Sequence, residues 1–219
     1  LVAYNMQQQL LYEFGYTDDA HGVPQGVITS ISEWRDGALI VYEDGRIVCC
    51  DVMRQQHTVW KTDFVAQQHL RKSATLNAFA DQMDNIWLYG QGTLMLYNKN
   101  TNTWNTTIGD QLGMTGNNTD HSVNGMAGDR KGNIWIGTDR SGLIRANVNT
   151  LEMEYVSPRS VNNIAQMPSQ EVIGIQSVYI DDTDLLWIGT EKSGLAYYGD
   201  NIYKFQSLMN GDITAIAED

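Results

Sequence analysis

Cysteine, proline and basic residues are all scarce in this chain, and each scarcity removes a class of protein. The only two cysteines among 219 residues are neighbours, Cys49 and Cys50. Adjacent strand residues point to opposite faces, so a disulfide between them would be strained. They read as two small strand residues with one or both buried. No C-x-x-C pair occurs and the four histidines (His21, His57, His69, His121) are scattered, so neither a metal site nor a cofactor is expected. Lys and Arg total 14 against 26 Asp and Glu, a formal net charge of −12. Without a basic cluster, a nucleic-acid backbone or an anionic membrane surface is excluded as a partner. No apolar run reaches the length of a membrane span. The chain shows no signal peptide, but it begins at Leu1 and reads as a processed or excised piece, so that absence excludes no compartment.

What is abundant is turn and strand material. Twenty Gly, six Trp and eleven Tyr stand against three Pro, and 42% hydrophobic with 18% charged residues describes a globular, β-rich chain rather than a disordered one.

Its organisation is a repeat. The phrase W-I-G-T-x-x-S-G-L is written twice, from Trp135 and from Trp187. Aligning on Gly and Trp extends it to four full repeats, residues 28–60, 76–104, 123–155 and 175–205, between partial ones at 1–14 and 213–219. Ile40, Trp87, Trp135 and Trp187 fall at corresponding places, 47, 48 and 52 residues apart, the period of blade-like β repeats. Each copy reads as four short strands. A D-x-x-G/D turn follows the first (Asp81–Asp84, Asp129–Gly132, Asp181–Asp184), and an Asn-rich turn precedes the last. The expected fold is therefore all-β, a β-propeller of four-stranded antiparallel blades, forming one propeller segment of a larger ring, with a closed five-bladed ring as the alternative. An open ring would expose blade faces that a second copy would cover as a homodimer.

The paired glycines of the phrase are not a phosphate cradle. Such a loop needs Lys-Ser/Thr and a helix after its second glycine, whereas strand is expected on both sides here. Gly137 and Gly189 fall where a strand ends close to a neighbour, Gly142 and Gly194 open the return strand, and Trp135 and Trp187 are expected to pack between blades.

At these residues the chain resembles the two-component regulator propeller repeat, whose signature is close to I-x-x-I-x-x-D-x-x-G-x-I-W-I-G-T-x-x-x-G-L. The copy from Val123 fits it nearly throughout, and the copy from Ile175 fits except at Asp184-Leu185. The copy from Leu76 has Tyr89-Gly90 for G-T, and the copy from Ile28 has Trp34 where Asp is expected. The resemblance implies a periplasmic part of a membrane-anchored hybrid histidine kinase from a glycan-degrading bacterium, sensing oligosaccharides through this region and signalling through domains not in this sequence.

Ligand groups are expected in the loops joining strands two and three, and in the longer connections between blades. The former offer Asp139, Arg140, Glu191 and Lys192; the latter offer Arg71, His121 and Arg159. Amide, carboxylate and Arg groups suit a sugar, and the cations suit an acidic one. Arg140 and Lys192 occupy equivalent positions in successive blades and should project from one face. No catalysis is expected: Asp181-Asp182 has the look of a glycosidase pair but sits in the D-x-x-G/D turn, and no nucleophile elbow occurs. The alternatives to a sensor are a non-catalytic interaction or dimerisation module and, after that, a polysaccharide lyase or hydrolase.

Overall fold

Alternating apolar residues followed by an Asp-led turn make each repeat fold back on itself, and the computed structural model shows this directly. It describes residues 2–4, 10–13, 15–16, 22–35, 37–44, 46–54, 56–60, 76–114, 121–156, 173–199 and 202–209. The partial repeat at 213–219 lies outside the described residues. The fold is all-β and built of four-stranded antiparallel β-propeller blades. The chain divides into two compact units, Leu1–Ala80 with Ile86–Gly90, and Asp81–Asn85 with Gln91–Asp219.

In the first unit β1 (Val2–Tyr4) pairs antiparallel with β2 (Leu10–Glu13), and β3 (Gly15–Tyr16) pairs parallel with β4 (Gly22–Val23). A blade then runs β5 (Ile28–Trp34), β6 (Gly37–Tyr42), β7 (Ile47–Asp51) and β8 (Gln56–Trp60), each strand beside the next. One face of it carries a core of Ile40, Tyr42, Val48 and Cys50 against Val23. The next sheet has the order β9 (Leu76–Ala80), β10 (Ile86–Gly90), β11 (Thr93–Asn98) and β12 (Thr103–Asn105), of which β9 and β10 fall in the first unit and β11 and β12 in the second.

The second unit holds two complete blades. One is β13 (Val123–Gly128), β14 (Asn133–Thr138), β15 (Leu143–Asn147) and β16 (Met153–Tyr155). The other is β17 (Ile175–Ile180), β18 (Leu186–Thr190), β19 (Leu195–Gly199) and β20 (Ile202–Met209). They meet through Trp135 and Leu143 on one side and Ile175, Leu186, Ile188 and Ala196 on the other. Burying each such aliphatic side chain contributes about 1.5–3 kcal/mol. Gly137 makes the approach possible: a Cβ there would stand 2.6 Å from Ile175 Cγ2. Trp135 thus packs between blades as expected. Trp187 is half-buried, and its ring lies against Tyr197 of its own blade at 5.8 Å.

Register corrects one sequence assignment. Trp135 pairs with Ala127 and Arg145, and the residue in that register in the β5–β8 blade is Leu39, paired with Ser32 and Cys49, not Ile40. The cause is the turn. Residues 129–133 separate the pair Gly128 and Ile134, whereas only 34–37 separate the equivalent pair Glu33 and Ala38. Trp34 offers no carboxylate to organise the wider turn. Instead it pairs directly with Gly37, and Arg35 takes the positive φ (52°) of a tight hairpin.

The connection after β12, expected as a loop, opens with a 3-10 helix, Ile108–Leu112, because Ile108, Leu112 and Met114 carry apolar side chains that are buried. First strands share a further device. β5, β13 and β17 each slip register after their first residue, leaving Thr29, Asn124 and Gln176 as the bulged residue. Thr29 Oγ1 donates to the carbonyl of Leu76 (3.2 Å) and Asn124 Nδ2 to that of Ile175 (2.8 Å), in each case the first residue of the next blade.

Candidate functional site

The repeated phrase is the builder of the loop that carries the candidate residues. In G-T-x-x-S-G the Thr hydroxyl bridges the loop. Thr138 Oγ1 donates to the Gly142 carbonyl (2.8 Å) and accepts from the Ser141 N–H (2.9 Å); Thr190 Oγ1 does the same with Gly194 (2.7 Å) and Ser193 (2.9 Å). Gly142 and Gly194 close it at φ 68° and 75°, where a side chain would be strained. Both Thr residues are buried, so the two variable positions between Thr and Ser are held at the tip of a rigid loop. Those positions are Asp139-Arg140 and Glu191-Lys192.

The second unit brings these loops together with the segments that enter the blades. The Asp139 N–H donates to the Ser122 carbonyl (3.1 Å), and Asp139 Oδ1 accepts from the Ser122 N–H (2.8 Å). The His121 imidazole Nδ1 lies 3.9 Å from the same oxygen, and Arg140 Nε lies 4.0 Å from Asp139 Oδ2. In the next blade the Glu191 N–H donates to the Gly174 carbonyl (2.8 Å). Gly174 fits between the two loops. A Cβ there would stand 2.8 Å from Glu191 Oε2 and 3.0 Å from the Asp139 carbonyl. His121, Asp139, Arg140 and Glu191 therefore gather at one place, with Lys192 beside Glu191. Arg140, Glu191 and Lys192 are solvent-exposed, while His121 and Asp139 are partly buried. Arg71 and Arg159 lie outside the described residues.

Sequence reasoning missed Gly92 and Arg46. The Gly92 N–H donates to the His121 carbonyl (2.7 Å), and its neighbour Gln91, which the sequence places in a strand-two-to-three loop, bridges to Ser122, so a third loop is tied to the cluster. In the first unit Arg46 holds the equivalent loop: Nε donates to Asp44 Oδ2 (2.7 Å), a terminal N–H donates to the Gln25 carbonyl (2.7 Å), and the guanidinium stacks 4.8 Å over Tyr42. The signal for it was a cation two residues after Asp44, within reach of that carboxylate.

The acidic turns play a structural part. Asp181 Oδ1 accepts from the Thr183 and Leu185 N–H groups and the Thr183 hydroxyl, and Oδ2 accepts from the Trp187 indole (2.8 Å). Partial burial opposes its ionisation, but the hydrogen bonds from Thr183, Trp187 and Leu185 outweigh that and hold the carboxyl down to about 2. An acid so engaged keeps no free proton for a glycosidic oxygen.

The wider comparisons agree with this architecture. No curated protein sequence matches the chain. The extracellular domain of BT4673, described as a hybrid two component system of B. thetaiotaomicron, superposes with a TM-score of 0.60 at 16% identity, over 97% of this chain and 26% of that one. The corresponding domain of BT3049 from the same organism superposes at 0.56 and 13% identity, over 93% and 26%. Virginiamycin B lyase of Staphylococcus aureus superposes at 0.54 and 10% identity, over 80% of this chain and 53% of the lyase. At such identities the likeness is one of fold, and the chain spans about a quarter of the length of the two extracellular domains. In sequence, residues 119–140 match the two component regulator propeller family, so the stretch that carries His121, Asp139 and Arg140 is a repeat of that family.

Proposed function

We propose that this chain is part of the extracytoplasmic, periplasmic sensor region of a two-component regulator of the hybrid histidine kinase kind. In this reading it binds glycan-derived oligosaccharides without transforming them, and signals through other domains across the membrane. The observation that carries the proposal is the position of the family match: residues 119–140 hold the strand-two-to-three loop and the entering segment, where His121, Asp139 and Arg140 gather. Solved structures of the same fold that are extracellular domains of two component systems support it.

The chemistry of the cluster suits an acidic sugar. Arg140 and Lys192 supply exposed cations for a carboxylate or sulfate, while Asp139, Glu191 and the His121 ring supply hydrogen-bonding groups for hydroxyls. Of the two acids that resemble a glycosidase pair, Asp181 is committed through its carboxylate to its own turn, which speaks against turnover.

The test is a thermal-shift titration of the protein with neutral and acidic oligosaccharides of several lengths, with the sugars analysed afterwards for cleavage. A concentration-dependent rise in melting temperature with acidic oligosaccharides, and no cleavage, is the expected result, because a ligand bound only to the native state raises apparent stability. Cleavage would replace the sensor with an enzyme. Absence of any shift would turn the reading towards a protein-interaction module.

A further inference from the structure

We propose that the loop cluster takes up a proton at His121 when it binds the acidic group of a sugar, so that acid strengthens binding. The inference deepens the sensor reading and rests on it for the class of ligand.

The backbone holds the ring in place. The Gly92 N–H donates to the His121 carbonyl (2.7 Å). Ser122 exchanges two hydrogen bonds with Asp139, its N–H meeting Oδ1 (2.8 Å) and its carbonyl the Asp139 N–H (3.1 Å). The His121 side chain is 20% exposed, and its Nδ1 is buried and makes no hydrogen bond among the described residues. That nitrogen faces Asp139 Oδ1 at 3.9 Å. A lone pair turned towards a carboxylate is repelled, so Nδ1 carries the ring's proton and Nε2 is the atom left to gain a second. The charged ring then stands beside a partly buried carboxylate, where attraction is screened less than at an open surface.

The charges around it give this proton its leverage. Asp139 and Glu191 carry two negative charges and Arg140 and Lys192 two positive ones, so the four balance. Asp139 faces both possible cations at once: Oδ1 lies towards His121, and Oδ2 lies 4.0 Å from Arg140 Nε. Gln91 and Gly92, on the third loop against His121, carry no charge, and Asp120, which precedes it, lies outside the described residues. With a neutral His121, an arriving carboxylate or sulfate meets a balanced set on a chain of net charge −12. With a protonated His121, the ring answers Asp139, and the 59% exposed Arg140 side chain is left to pair with the ligand. Sulfate and the carboxylate of a uronic acid stay ionised over the range of about pH 5 to 8 in which imidazoles titrate, so the change lies in the protein.

Isothermal titration calorimetry tests this with two probes, inorganic sulfate and an oligogalacturonide, at a series of pH values and in two buffers of different ionisation enthalpy. Affinity for each should fall about tenfold as pH rises from about 5.5 to about 8, the effect of one charge-assisted contact. The buffer dependence of the heat should show proton uptake on binding near the middle of that range. His121→Gln should lose the uptake and flatten the profile to within about twofold. The chain has three other histidines, so this variant is what assigns the effect. Asp139→Asn keeps an acceptor for the Ser122 N–H and removes one negative charge. At about pH 8 it should bind sulfate about tenfold more tightly than wild type, and it carries the test if His121→Gln does not fold.

Galacturonide binding that ignores pH overturns this inference and leaves the sensor reading standing. So does a profile that survives His121→Gln, or a sulfate affinity at about pH 8 that Asp139→Asn leaves unchanged. Sulfate binding with the expected profile, without galacturonide binding, supports the proton-linked anion subsite and removes the sugar. Absence of binding by both probes at every pH overturns both.

Discussion

The indole N–H of Trp135 donates to Asp129 Oδ2 at 3.0 Å, and this bond fastens the second strand of the blade to the turn that precedes it. Trp187 and Asp181 repeat it at 2.8 Å in the next blade. Asp129 also accepts from the Lys131 and Asn133 N–H groups and from the Asn133 amide. One buried carboxylate therefore satisfies four donors and fixes both the turn and the packing tryptophan. Asp129→Ala leaves those donors without their acceptor and should lower stability by about 2–4 kcal/mol. The urea midpoint, read from tryptophan fluorescence, measures the loss. Asp110→Ala, at an exposed position in the 3-10 helix, should stay within about 0.5 kcal/mol of wild type.

Acid should erase the contribution of Asp181. Its carboxyl is held at about 2 in the folded chain, below the ordinary 3.8. A folded value below the unfolded one means that the stabilisation is fully present above about pH 4 and is lost as pH falls through 2. The stability difference between wild type and Asp181→Asn should accordingly shrink between pH 5 and pH 2. Denaturant titrations at a series of pH values test this, and a difference that stays constant over the range would contradict it.

The same pair of residues shows what was legible in the sequence. The D-x-x-G/D turn and the tryptophan six residues on were visible, and so were the blades, because a repeat displays its period several times over. The bond between Asp and Trp was not visible, since spacing alone does not say that the indole turns back towards the turn. The degenerate first copy misled for a related reason. With Trp34 in place of Asp the turn loses one residue, and a shift of one exchanges the two faces of β6, making Leu39 rather than Ile40 the equivalent of Trp135. At the candidate site, Asp139, Arg140, Glu191 and Lys192 were legible as variable positions inside a repeated phrase. The parts of Gly174, Gly92 and Arg46 were not, because they depend on which loops come to lie side by side.

Close approach and backbone conformation should separate two glycine substitutions. Gly137→Ala puts a methyl 2.6 Å from Ile175 Cγ2, and relief requires the neighbouring blade to shift, at a cost of about 1–3 kcal/mol. Gly113→Ala meets nothing within 4 Å, and its cost comes from φ +73° alone, about 1 kcal/mol. Thermal unfolding of the two variants should rank them in that order.

The neighbouring thiols should be inert in the folded chain. Burial pushes Cys49 up to about 12, with Cys50 beside it adding to the rise, and burial pushes Cys50 up to about 11. With so little thiolate at pH 8, neither should be alkylated by iodoacetamide under native conditions, and both should react once the chain is unfolded in guanidinium. Mass spectrometry of the labelled chain counts the modifications. Rapid native labelling of either cysteine would mean that its strand opens readily.

The ligand reading makes its sharpest claim about which cations matter. Arg140 and Lys192 project from equivalent tips of two rigid loops, whereas Lys99 is paired with Asp84 at 2.8 Å beside a turn of the D-x-x-G/D type. Arg140→Ala and Lys192→Ala should each weaken an acidic oligosaccharide about tenfold, the effect of losing one charge-assisted hydrogen bond. Lys99→Ala removes the same formal charge from outside the cluster and should leave affinity unchanged. Isothermal titration calorimetry with one uronic acid oligosaccharide, at two ionic strengths, compares the three. Equal losses in all three variants would mean that overall charge, rather than this loop cluster, attracts the sugar, and the site would have to be sought elsewhere on the chain.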